Sequence, residues 1–298
     1  MNTEKEKRAI EILKTFQPQD AYYGAYSGGK DSDTIYILGK LAGINVEWHH
    51  NLTTVDAPET VNYVRSHNDI IIDRPERTMW RLIVDKKFPP TRLYRYCCEE
   101  LKERGNVGRI KITGVRWAES VKRKKHQGLV VLQGGTKAAE NKAAENKADY
   151  RVNKYGGVIL NDDNDESRRT VEQCYRTRQT LVNPIIDWTD EDVWNFLNHY
   201  GCDSNPLYKE CGYKRIGCIG CPMASKGRYI AFARYPKYKE NYIKAFDRML
   251  KAREQSGLSV RQESGEEVFR WWMGEDVCRT RKVYINGSVY HRQKIQDV

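Results

Sequence analysis

Ala21-Tyr22-Tyr23-Gly24-Ala25-Tyr26-Ser27-Gly28-Gly29-Lys30-Asp31-Ser32 is the stretch that decides the fold. Its first six residues are apolar or aromatic, short and uninterrupted, as in a buried strand. Two glycines then allow a tight turn. From Asp31 to Leu41 the apolar residues Ile35, Ile37, Leu38 and Leu41 fall at helical spacing. A strand that turns through Ser-Gly-Gly into a helix presents backbone N–H groups and a helix N-terminus to an anion. Ser27 and Ser32 add hydroxyls and Lys30 a positive charge. The spacing is neither that of a Walker A loop nor that of the dinucleotide fingerprint.

Around this stretch the same alternation continues. Residues 4–17 have helical periodicity (Ile10, Ile12, Leu13, Phe16), closed by Pro18. Ile44–His50 alternates as a second strand, Thr60–His67 is helical and Ile70-Ile71-Ile72 is a short strand. Further strands are expected at Lys111–Arg116 and Val182–Ile186. Thr189, with acidic residues after it, is expected to cap a helix. The predicted class is α/β: an open, mostly parallel sheet with helices on both faces. In such a sheet ligands bind outside the carboxyl ends of the strands, where the Ser27, Asp56 and Arg116 loops gather. The expected division is a nucleotide-binding domain over 1–200 and a Cys-rich helical region over 201–298. An insertion at about 134–157 interrupts the first. There Lys137-Ala-Ala-Glu-Asn141 repeats as Lys142-Ala-Ala-Glu-Asn146, which predicts a solvated helix or loop. Val268–Met273 is expected to be a helix packed against the sheet, its aromatics serving as core.

The 298 residues are 39% hydrophobic and 31% charged, enough to bury a core. No window is apolar enough for a membrane span and no secretory signal opens the chain, so a cytoplasmic location is expected. The net charge of +11 suits a phosphate-rich ligand, a nucleotide or a nucleic acid. Eight cysteines without a secretory signal point to metal or redox work rather than disulfides. Cys211, Cys218 and Cys221 give C-x6-C-x2-C, and Cys97-Cys98 lie upstream. Such a set suits a 4Fe-4S cluster, with zinc as the alternative. Arg116 is read as a phosphate or sulfate clamp, and Asp31 or Asp56 as a Mg²⁺ ligand.

Ser27-Gly28-Gly29-Lys30-Asp31-Ser32 resembles the PP-loop of the adenine-nucleotide α-hydrolases, a superfamily with the HUP-type fold. Four further segments resemble its phosphoadenosine phosphosulfate (PAPS) reductase-like branch. These are Val55-Asp56-Ala57-Pro58-Glu59-Thr60, Cys97 with Leu101-Lys102, Gly114-Val115-Arg116-Trp117-Ala118-Glu119-Ser120, and Pro184-Ile185-Ile186-Asp187-Trp188. The resemblance implies nucleotide contacts at Ser27, Gly28, Gly29, Lys30, Asp31, Ser32, Asp56, Gly114, Arg116, Glu119 and Ser120, with Lys30, Asp31 and Arg116 catalytic. It also implies a cluster held by Cys97, Cys98, Cys218 and Cys221, as in adenylylsulfate reductases. The ligands are instead Cys97, Cys211, Cys218 and Cys221 if the chain is like the DNA-phosphorothioation sulfurtransferases, the nearest in pattern.

Reductases of the branch typically lack the Lys-Asp pair and carry a C-terminal Glu-Cys-Gly-Leu-His-like tail. This chain keeps Lys30-Asp31 and has no such tail; Cys278 stands in another context. The expected activity is therefore ATP cleavage at the α phosphate, adenylating a substrate for sulfur transfer. PAPS or adenylylsulfate reduction is the alternative, and a non-catalytic nucleotide or nucleic-acid-binding module the second. Expected partners are the nucleotide, a sulfur donor protein, a second copy of the chain and, without direct support, nucleic acid.

Overall fold

The computed structural model describes residues 3–103, 108–174, 179–275, 281–285 and 288–292. Helix α1 (Thr3–Thr15) leads to β1 (Tyr22–Ala25), α2 (Lys30–Ala42), β2 (Val46–Asn51), α3 (Pro58–Arg65) and β3 (Ile70–Asp73). Then come α4 (Met79–Lys86), α5 (Tyr96–Leu101), β4 (Ile110–Ile112), α6 (Val121–His126), β5 (Val130–Gln133) and α7 (Thr136–Glu145). β6 (Tyr150–Val152), β7 (Val158–Leu160), α8 (Asp165–Cys174), β8 (Gln179–Val182), α9 (Asp190–His199) and α10 (Pro206–Cys211) follow. The remainder is α11 (Gly227–Arg234), α12 (Pro236–Gln255), α13 (Gly265–Met273) and the hairpin β9 (Arg281–Ile285) and β10 (Ser288–Arg292).

The chain divides into two compact units. The first comprises Met1–Glu76 and Tyr96–Cys218, the second Arg77–Arg95 and Ile219–Val298. The boundary falls inside the Cys218–Cys221 motif, and residues 77–95 go with the C-terminal part rather than with their sequence neighbours.

The first unit is built on one mixed, mostly parallel sheet with helices on both sides, in the order β3-β2-β1-β4-β8-β5-β7-β6. From β3 to β8 every pairing is parallel, while β5, β7 and β6 add on antiparallel. Alternation along β5 shows that both faces are covered. Val130 and Leu132 belong to the main core with Leu13, Ile35, Leu38, Trp48 and Phe196, whereas Val131 packs with Ile159 and Leu181 in a separate cluster. The Lys-Ala-Ala-Glu-Asn repeat is α7, and here the expectation of a solvated segment is corrected. Ala139 and Ala143, one turn apart, are fully buried against the main core, while Lys137, Ala138, Asn141, Ala144 and Glu145 face water. Alanine leaves room for this close approach and loses no side-chain entropy.

The second unit packs α4 and α13 on α12 around an aromatic cluster. Tyr242 meets Trp80 and Trp272 at ring-centroid distances of 4.9 Å each, and Phe232 lies 5.1 Å from Phe269. Trp272 Nε1 donates to the Pro90 carbonyl at 2.6 Å, so the 77–95 segment is hydrogen-bonded to α13. Of the aromatics at 268–273, Phe269 and Trp272 are buried, as expected, while Trp271 is 51% exposed, and the helix packs on α12. Among the described residues no helix is long and apolar enough to cross a membrane.

Candidate nucleotide site

The loop at the end of β1 is held from three sides. Tyr26 N–H still donates to the His49 carbonyl at 2.9 Å, so the strand is fixed up to the turn. Gly28 has φ of +72°, and a Cβ there would lie 3.0 Å from Val64 and 3.1 Å from Thr60 of α3. Asn205, fully buried at the N-cap of α10, donates through Nδ2 to the Gly28 carbonyl (2.9 Å) and the Thr60 hydroxyl (3.1 Å). Gly29 caps α2, and Ser32 closes the turn by accepting from Gly29 N–H (3.0 Å) and donating to its carbonyl (2.7 Å). The Lys30 N–H donates to the Tyr208 hydroxyl at 3.0 Å. That phenol oxygen sits on the positive end of α2, where a helix N-terminus favours an anion's oxygen.

Beside the loop, two cations and two carboxylates form a closed quartet. Lys30 Nζ, on a side chain only 7% exposed, lies 3.3 Å from Asp31 and 3.0 Å from Asp190. Arg116 is 1% exposed. It donates from Nε to Asp31 (2.7 Å), from Nη2 to Asp190 (2.7 Å) and from Nη1 to the Trp188 carbonyl (3.1 Å). Burial pushes the Asp190 carboxyl upward, but Arg116 and Lys30 outweigh it and hold it below the usual carboxylate range. Arg116 thus orients Asp31 and Asp190 instead of reaching outward as a free fork. Asp31 already serves two cations.

Gly114 follows β4 where a Cβ would stand 2.8 Å from the Asp31 carbonyl oxygen, so only glycine lets that loop lie against α2. Glu119 accepts from Arg116 N–H (3.2 Å), Arg123 (2.7 Å) and Arg215 (2.8 Å), and Ser120 caps α6. Asp56 accepts from the Thr53 N–H (2.7 Å) and hydroxyl (2.8 Å), tying its own loop. The structure therefore brings Ser27, Gly28, Gly29, Lys30, Asp31, Ser32, Gly114 and Arg116 together, with Glu119 shaping the Arg116 loop. Asp190, Asn205 and Tyr208 join them without having been expected. Asn205-Pro206 reads only as a helix start, and Asp190 as an ordinary first-turn acid.

Of the cysteines, Cys218 lies beside the Asp56 loop. Cys218 Sγ lies 3.5 Å from the Thr53 hydroxyl. The Lys102 ammonium is held above its ordinary value by Cys218 first, against burial, and then by Asp56 and Cys98. Among the described residues no three Cys, His, Asp or Glu side chains are gathered to hold a metal ion. Cys97, Cys98, Cys211 and Cys218 all belong to the first unit, and the Lys102 ammonium stands close to Cys98 and Cys218. The four thiolates that the resemblance implies include Cys221 of the second unit, while Asp31 is engaged by Lys30 and Arg116, and Asp56 by Thr53. Cys174 and Cys202 take no part, and Cys278 lies outside the described residues.

The phosphoadenosine phosphosulfate reductase domain matches residues 22–224, more than half of the chain. The chain belongs to the phosphoadenosine phosphosulfate reductase domain family. An uncharacterised protein of Methanocaldococcus jannaschii is 23% identical over 277 residues, covering 89% of this chain and 56% of the relative. An adenosine 5'-phosphosulfate reductase of Allochromatium vinosum is 42% identical over 43 residues, 14% of this chain and 16% of the relative. The chain thus spans about half the length of the first relative and a small part of the second. A solved phosphoadenylyl-sulfate (PAPS) reductase from Candida auris, in a phosphate complex, aligns over 72% of this chain and 93% of its own, at 15% identity and a TM-score of 0.42.

Proposed function

We propose that the chain is an ATP-using enzyme that cleaves its nucleotide at the α phosphate, adenylating an acceptor for sulfur transfer. One observation carries this: the intact Lys30-Asp31 pair at the N-terminus of α2, with Lys30 buried and aimed at a carboxylate that an anion can replace. In this reading the phosphates dock on the N-terminus of α2 and on Lys30 Nζ, and Asp190 gives way to them. Arg116 keeps Asp31 in place and contributes its charge to the phosphorus transition state at close range. An acceptor nucleophile attacks the α phosphorus, the α–β bridging bond breaks, and pyrophosphate leaves with the electron pair.

The matches to sulfonucleotide reductases over short stretches favour a second reading, reduction of PAPS or adenylylsulfate with release of sulfite. Anaerobically purified protein offered ATP, PAPS and adenylylsulfate in parallel separates the two. Pyrophosphate from ATP without sulfite supports adenylation; sulfite from a sulfonucleotide establishes the reductase. Lys30→Ala abolishes either turnover. The cysteine cluster is a proposal resting on the resemblance, with Cys97, Cys218 and Cys221 joined by Cys98 in one pattern or by Cys211 in the other. Iron, sulfide and zinc analysis of wild type and Cys218→Ser tests it: metal bound by the first and lost from the second supports the cluster, and no step above passes through it.

A further inference from the structure

Helix α6 begins five residues after Arg116, and its side chains serve no purpose in the nucleotide site beyond Arg123, which pairs with Glu119. Lys122, Lys124 and Lys125 are exposed, as is Lys154 in the loop after β6. Among the described residues none of these four forms an ion pair with a carboxylate. Amid them stands Tyr155, 63% exposed. Lys154 Nζ lies 5.0 Å and Lys122 Nζ 5.7 Å from the ring centroid, and the His126 ring meets it edge-on at 5.1 Å.

The surface is braced from beneath. Arg151 donates to the carbonyls of Lys125 (2.7 Å) and Gln127 (3.1 Å), and Asn153 Nδ2 to that of His126 (3.2 Å), so the end of α6 is tied to β6 and its loop. Asn153 Oδ1 accepts from Tyr155 N–H (2.9 Å) and Gly157 N–H (3.0 Å), which sets the turn carrying the tyrosine.

We propose that Tyr155, Lys122, Lys125 and Lys154 form a docking surface for single-stranded nucleic acid. The exposed ammonium groups of Lys122, Lys125 and Lys154, none of them paired with a carboxylate, suit a string of phosphates, and releasing their counterions drives binding. An exposed ring among them offers a π-face to an unpaired base, which neither an acidic peptide nor a lipid surface uses. A duplex keeps its bases stacked inward, so the ring selects the single strand. The inference stands apart from the adenylation reading, since no residue of the phosphate loop enters it.

The test is fluorescence anisotropy of a labelled mixed-sequence 20-nucleotide DNA strand with the full chain, across a salt series. Tyr155→Ala is expected to weaken binding about tenfold with the salt slope unchanged. The Lys122→Ala/Lys154→Ala double variant is expected to weaken it at least as much and to flatten the slope by roughly 1.4. Wild-type affinity in Tyr155→Ala overturns the proposal. So does displacement of the strand by polyglutamate or by anionic vesicles at equal charge, because each shows charge alone at work.

Discussion

Asp190 carries the most at the scale of single residues. Its carboxylate bridges Lys30 and Arg116, the two cations that a phosphate needs. Asp190→Asn removes one negative charge and leaves two cations facing Asp31 alone. Pyrophosphate affinity is expected to rise about tenfold, a gain on the scale of one well-placed charge contact; calorimetric titration measures it, and weaker binding would mean that Asp190 holds the cations in place rather than occupying the anion's seat. Asp33 makes a separate point. It is 1% exposed; Tyr26 donates to its Oδ1 at 2.6 Å, and Oδ2 has no partner. Burial raises its pKa to about 7, against the pull of the Tyr26 and Tyr63 hydroxyls. The folded chain therefore binds a proton that the unfolded chain releases near pH 4, so stability falls from about pH 4 to pH 7 and is level above. Asp33→Asn escapes this loss, and its Tm is expected to exceed wild type by roughly 5 °C at pH 8 and hardly at all at pH 4. An equal gain at both pH values would remove the explanation. The hexapeptide at 27–32 was legible because glycines, hydroxyls and a lysine announce an anion site locally. Asp190 was not, since its partners lie 160 and 74 residues away in the chain.

Elements were legible where periodicity is local. Helices α1, α2 and α3 and strands β1 to β3 lie where their apolar spacing predicts, and Thr189 caps α9 by accepting from Asp192 N–H at 3.1 Å. Helix α7 was misjudged because alanine reads the same on a wet face as on a buried one. Ala143→Glu distinguishes the two. A charge forced into the core is expected to cost about 3 kcal/mol, visible in the denaturation midpoint, whereas a solvated helix would barely register the change. Gly114→Ala is the matching probe of the loop after β4. The new methyl meets the Asp31 carbonyl, so a loss of about 2 kcal/mol is expected, together with weaker pyrophosphate binding because α2 is pushed aside.

Taken whole, the molecule has two units with their own cores, one mixed aliphatic and aromatic around a sheet and one aromatic around α12. Separate cores predict calorimetric unfolding that departs from a single two-state transition. Trp80→Ala, which removes the ring packed on Tyr242, is expected to shift one transition by several degrees and leave the other in place; one shared shift would show that the units melt together. The membership of 77–95 in the second unit was not legible, because it depends on contacts such as Trp272 to Pro90 that no local pattern encodes.

The strand order also sets a timetable for assembly. β8 lies between β4 and β5, yet it comes last of the eight in the chain. Until residues 179–182 leave the ribosome, β4 ends one half-sheet and β5 another, each with an unpaired edge open to other chains. Closing them is a late strand insertion at long sequence separation, the slow kind of folding step. During synthesis the chain is therefore most exposed to aggregation before β8 emerges, and a pause in translation just upstream of that strand would prolong the hazard.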